Sequence, residues 1–197
     1  MNETRKTIRP KAKAPRSARA QAANPGETRA VNEAGFMARA WAMEVDAAER
    51  YATLADAMEE HNNREVAEQF RKLARIEQLH ADRILEEHLS RRPPALPPGG
   101  LQWDRGAEGP ETADPGELHY RMQPYHALEI ALACEQRACK YFARIARSGA
   151  VPAVRKAAKE MAAEEAEHVR LIEDWLKRTP APRKDWAHDP DPPVDID

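Results

Sequence analysis

At 197 residues, 42% hydrophobic and 32% charged, the chain can bury one substantial core, and its length allows one domain or at most two. A formal net charge of -2 gives no whole-protein field to draw in nucleic acid, and 6% aromatic content with abundant alanine suits close-packed helices better than sheets. No stretch is apolar and long enough for a membrane span or a secretory signal, so a cytoplasmic protein without membrane or nucleic-acid partners is expected.

Residues 1–31 are basic. Arg5, Lys6, Arg9, Lys11, Lys13, Arg16, Arg19 and Arg29 stand against Glu3 and Glu27, and Pro10, Pro15 and Pro25 interrupt the run. With almost no large apolar side chains to bury, this segment reads as a disordered tail. A first helix is predicted from Asn32 to Glu60, with one stripe formed by Met37, Ala40, Glu44, Ala47, Tyr51, Leu54 and Met58. The short His61-Asn62-Asn63 turn then sends a second helix back antiparallel, from Arg64 to about Leu89. Its seam reads Val66, Phe70, Leu73, Glu77, His80, Ile84.

Residues 90–117 contain Pro93, Pro94, Pro97, Pro98, Gly99, Gly100, Gly106, Gly109, Pro110, Pro115 and Gly116, and cannot form one helix. A helix of about 26 residues is roughly 39 Å long. An extended return over that length needs about twelve residues, so this segment has the reach of a crossover. A third helix follows from Pro124 to Arg147, stopping at Ser148-Gly149, with the stripe Leu128, Ala131, Glu135, Ala138, Phe142, Ile145. Pro152 suits the first turn of a fourth helix reaching Lys177, whose seam is Val154, Ala158, Met161, Glu165, His168, Ile172. Residues 178–197, rich in proline and aspartate, read as a disordered acidic tail that Trp186 could dock in part. The expected fold is all-α: one bundle over residues 32–177, made of two repeated helical hairpins joined by the long crossover.

The repeat carries chemistry. Glu77 and His80 recur as Glu165 and His168 in the same register, and Glu44, Ala47 and Tyr51 recur as Glu135, Ala138 and Phe142. Glu-x-x-His alone is a weak signal in a glutamate-rich chain. Register strengthens it, because each of these groups sits within an otherwise apolar stripe. Four carboxylates and two imidazoles pointing at one interior demand a cation, since no seam lysine or arginine is placed to pair with them. Side chains three apart on a helix share a face, so one Glu-x-x-His can place both groups on one ion. Two such motifs plus a glutamate from each remaining helix match the pattern of di-iron and di-manganese carboxylate bundles.

Four carboxylates balance two divalent ions, and oxygen-rich ligands without thiolate favour iron or manganese over copper or structural zinc. The expected centre is thus two Fe ions, or Mn in their place. Glu77 and Glu165 are assigned as bridges, with Glu44 and His80, and Glu135 and His168, as terminal ligands. Tyr51, on the Glu44 stripe, could hydrogen-bond a ligating carboxylate or simply pack. Cys134 and Cys139, five apart on one helix, would have Cα atoms roughly 8 to 9 Å apart, beyond disulfide reach. They are expected as free thiols.

At these residues the chain resembles the rubrerythrin branch of the ferritin-like superfamily, over about Asn32 to Lys177. The resemblance implies a four-helix bundle with a non-haem di-iron centre, an oxidoreductase that reduces hydrogen peroxide or dioxygen in oxidative-stress defence. Two departures bear on this. Rubrerythrins proper carry a four-cysteine iron module that delivers electrons, where this chain has an acidic tail, so an external electron donor is expected. They also carry an extra carboxylate on the third helix, where Ala138 stands here. A ferroxidase that sequesters iron and a metal-free helical interaction protein are the alternatives; a homodimer is compatible with the oxidoreductase reading, whereas a dimer would leave iron storage without a container.

Overall fold

The computed structural model describes residues 32–95, 109–148 and 151–188. Among them the chain forms four long helices, α1 (Glu33–Glu60), α2 (Arg64–His88), α3 (Pro124–Arg147) and α4 (Pro152–Arg178), with one 3-10 turn at Pro115–Glu117 and no strand. The expected basic tail, the middle of the crossover and the last residues of the acidic tail lie outside the described residues.

Local chemistry sets the helix ends. The Asn32 side chain accepts a hydrogen bond from Gly35 N at 2.8 Å and caps α1. Asn62 takes the left-handed conformation (φ 57°), which asparagine tolerates, and so turns the chain between α1 and α2. Proline opens both α3 and α4, where the missing N–H would have had no helical partner anyway. Gln123 and His126 form a reciprocal capping box at the start of α3.

α1 packs along α2 and α3 along α4, and the two hairpins meet through α2 with α3 and α1 with α4. The seams read from the sequence are the buried faces. Every member of the α1 stripe is buried, and each member of the α2 seam except His80 is buried too. The core falls into two apolar clusters. One gathers Tyr51, Leu54, Met58, Phe70, Leu73 and Leu128 near the α1–α2 turn. The other gathers Phe36, Met37, Met43, Ile84, Phe142 and Met161 toward the opposite end. Between them, about halfway along the helices, lies a layer of charged residues.

The crossover is tied to the bundle. Asn63 Nδ2 donates to Tyr120 O (3.2 Å) and to Met122 O (2.7 Å), which joins the end of the crossover to the first hairpin turn. Trp186 packs against the cluster near that turn, its ring centroid 3.9 Å from that of His126, so this part of the chain after α4 lies on the bundle. Asn63→Ala removes both bonds and the helix cap, each worth about 1 kcal/mol. At about 2–4 °C per kcal/mol for a chain of this size, thermal unfolding followed by circular dichroism should show a melting temperature lower by several degrees.

Candidate metal centre

The charged layer consists of the predicted residues. Glu44, Glu77, Glu135 and Glu165 are at most 1% exposed, yet each comes from a different helix. They form two matching sets. Ligand atoms of Glu44, Glu77 and His80 lie within 4.8 Å of one another, as do those of Glu135, Glu165 and His168. His80 Nδ1 is 3.2 Å from Glu77 and 3.8 Å from Glu44, and His168 Nδ1 is 3.2 Å from Glu165 and 3.4 Å from Glu135. The Glu-x-x-His spacing thus aims both Nδ1 atoms at the carboxylates, one set per hairpin.

The two imidazoles also meet each other. Their rings are stacked, centroids 4.1 Å apart and planes 4° from parallel, between α2 and α4. Their side chains are 18% exposed where the glutamates are sealed, so the histidines form the open side of the site. Arg83 and Glu164 pair across the same rim, which gives Glu164 a partner outside the cage.

Burial raises Glu44, Glu77 and Glu165. Desolvation pushes Glu77 and Glu165 up to about 8, and it drives Glu44 well above the ordinary range with Glu165 and Glu77 adding to it. Two stacked imidazolium rings would repel, which opposes a second positive charge on the pair. His80 is lowered to about 4 by burial and by His168. His168 is also opposed by burial, but the nearby carboxylates of Glu135 and Glu165 outweigh it and raise it to about 11.

One participant escaped the sequence reading. Glu111, in the crossover, is fully buried, and its carboxylate lies within 4.8 Å of ligand atoms of both Glu77 and Glu135. Burial raises its pKa, with Glu44 and Glu165 next in effect. Helical periodicity could not reveal it, because the residue sits in a proline- and glycine-rich segment with no repeat.

Tyr51 is buried beneath the site, but its hydroxyl makes no hydrogen bond to a carboxylate. Beyond burial itself, Cys134 acts on it most strongly, ahead of Glu135 and Glu77. Cys134 and Cys139 are both free thiols, the first buried, the second only partly, and the Cys139 Sγ reaches the carbonyl of Ala162 (3.6 Å).

The cage fits a pair of cations. Glu44 Oε2, Glu135 Oε2, Glu165 Oε1 and both oxygens of Glu111 are buried without a hydrogen-bond partner. Among the described residues, the ion-pair partners found for Glu44, Glu77, Glu135 and Glu165 are imidazoles. Buried carboxylates in that condition are costly unless a cation meets them. Carboxylate oxygens with imidazole nitrogens and no thiolate are a donor set suited to iron or manganese.

Comparison with known proteins agrees. The Rubrerythrin family model matches residues 35–96, which span α1 and α2 with Glu44, Glu77 and His80. A solved structure of an uncharacterized conserved protein from Magnetospirillum magnetotacticum MS-1 is 40% identical, covers 75% of this chain and 95% of its own, and superposes with a TM-score of 0.53. No curated protein matches the chain. Among the described residues no helix is long and apolar enough to cross a membrane. Helix order, paired Glu-x-x-His motifs, family match and structural likeness converge, and the chain belongs to the rubrerythrin-like branch of the ferritin-like superfamily.

Proposed function

We propose that this protein is a non-haem di-iron oxidoreductase that reduces hydrogen peroxide with electrons from an external donor. The observation that carries the reading is the pair of equivalent Glu-Glu-His sets with unpartnered carboxylate oxygens, one from each hairpin. Glu77 and Glu165 would serve both metal positions, and Glu44 with His80, and Glu135 with His168, would each hold one of them. When bound, the iron pair supplies Lewis acidity and the two electrons that, with two protons, convert peroxide to two waters.

The chain's own residues do the rest. The apolar clusters on both sides of the layer exclude water and keep the carboxylates in a low-dielectric setting. The stacked histidines are the exposed edge, so a molecule the size of hydrogen peroxide enters between α2 and α4. Holding metal on Nδ1 requires the His168 proton to leave, so loading releases protons. The two cysteines do not compose a mononuclear iron site, one being sealed beside Tyr51, which agrees with a separate protein or small molecule as reductant.

Anaerobically reduced, iron-loaded protein mixed with peroxide in a stopped-flow spectrometer should oxidise with one peroxide consumed per iron pair, at least tenfold faster than with dioxygen. Oxidation by dioxygen alone would favour a ferroxidase instead. A storage role would in addition require a many-subunit cage, which light scattering detects.

A further inference from the structure

The crossover delivers a charge that the paired motifs do not account for. We propose that Glu111 is a fifth carboxylate of the metal centre, set against Glu77 and Glu135 to offset the extra positive charge of the oxidised metal pair. This rests on the di-metal reading above.

Glu111 is held by construction. Its neighbours are anchored on both sides: Arg137 Nε donates to Pro110 O (2.8 Å), Arg137 Nη2 donates to Thr112 O (3.0 Å), and Thr112 Oγ1 donates to Asp46 Oδ2 (2.6 Å). The segment is thereby fixed to α1 and α3, and the side chain between those anchors ends beside Glu77 and Glu135. A functional group placed on supports of this kind keeps its geometry. Both carboxylate oxygens are buried and neither has a hydrogen-bond partner, whereas the carbonyls of Pro110 and Thr112 on either side accept from Arg137. A buried carboxylate serving packing alone would be expected to find a donor.

Charge gives the placement a purpose. Four carboxylates neutralise two divalent ions but leave two positive charges when both ions become trivalent. With Glu111 the cage is one charge from neutrality in either state, so oxidation costs less in a low-dielectric site. Glu77 and Glu135 belong to opposite hairpins and to different sets, so the added carboxylate also breaks the pseudo-twofold equivalence of the two metal positions.

The test uses the full chain and its Glu111→Gln and Glu111→Ala variants, loaded anaerobically with iron-57. Metal analysis, a spectroelectrochemical titration and Mössbauer spectra of the reduced state are the readouts. All three proteins should hold two irons per chain, since the other six ligands remain. The unmodified protein should show two distinct ferrous environments, and both variants more similar ones. At a fixed ambient potential the ratio of oxidised to reduced iron should fall at least tenfold in the variants, about 59 mV for one electron. Unchanged potentials in fully loaded variants, or equivalent ferrous sites in the unmodified protein, would overturn the role of Glu111 and leave the di-iron centre standing. Failure of the unmodified protein to take up two irons would remove both.

Discussion

Glu77→Ala should abolish the paired site, so that metal analysis after anaerobic loading finds at most one iron per chain where the unmodified protein holds two. On the proposed assignment Glu77 would serve both positions, and its loss should weaken binding by more than the roughly 10–100-fold seen when a residue supporting a ligand is removed. The metal-free variant should nevertheless fold. Its carboxylate is buried beside Glu44 and His80, where it is pushed up to about 8 by desolvation. Removing the buried carboxylate relieves its desolvation cost, and the loss of its contact with His80 and the cavity left behind act against that gain. Glu77→Gln, close in shape, separates the two effects. Above pH 8 it should melt no lower than the unmodified apoprotein in calorimetry while still losing one metal position. Retention of two tightly held irons in both variants would refute the bridging assignment.

The second large effect is a pH dependence that metal reverses. Without metal, Glu77 and Glu165 hold their protons up to about 8 in the folded state, whereas their ordinary value is 4.5. Glu44 and Glu111 are raised too. A raised acid stabilises the fold fully below its unfolded pKa, and that contribution is lost as pH climbs through the folded value. His168, raised from 6.5 to about 11, acts in the same direction above its ordinary value. His80 opposes them, because a lowered imidazole contributes stability above 6.5 that disappears as pH falls toward about 4. From pH 6.5 to 9 the opposing histidine is neutral in the folded state and sheds only the remaining half of its charge when unfolded, whereas Glu77 and Glu165 up to about pH 8, and His168 throughout, destabilise the apoprotein as the pH rises. A fall of about 1 kcal/mol lowers the melting temperature of a chain this size by about 2–4 °C. Several buried groups acting together should therefore produce a drop of at least about 5 °C across that window.

Loaded protein should behave in the opposite way. Metal takes the place of the protons, its affinity rises as the ligands deprotonate, and a species that binds only the folded state adds to its stability. Melting temperature should hold or rise between pH 6.5 and 9 in the presence of iron or manganese. Parallel pH trends with and without metal would show that the acidic layer is not the binding site.

Much of this was legible because an amphipathic helix writes its burial into the chain. Glu44 among Met37, Ala40, Ala47 and Tyr51 can only be buried if that stripe is buried, and the same holds for Glu135. The helix boundaries followed from Asn63, Pro124 and Pro152, whose capping and first-turn roles depend on their own chemistry and that of near neighbours. Tyr51 shows the limit. Its stripe position placed it near the cage, yet only packing determined that its hydroxyl lies under the influence of Cys134 rather than bonded to a carboxylate.

By itself the sequence determined four amphipathic helices, their antiparallel pairing and six inward-facing Glu and His side chains, because period, caps and turn length act within a few residues of one another. Tertiary structure alone decided that the two histidines stack, that Arg83 meets Glu164 across the rim, and that Glu111 enters the cage. Those outcomes depend on where separate helices and an irregular segment come to rest. No local periodicity encodes a meeting between residues so distant in the chain, since it is packing and the pairing of buried charge that bring them together.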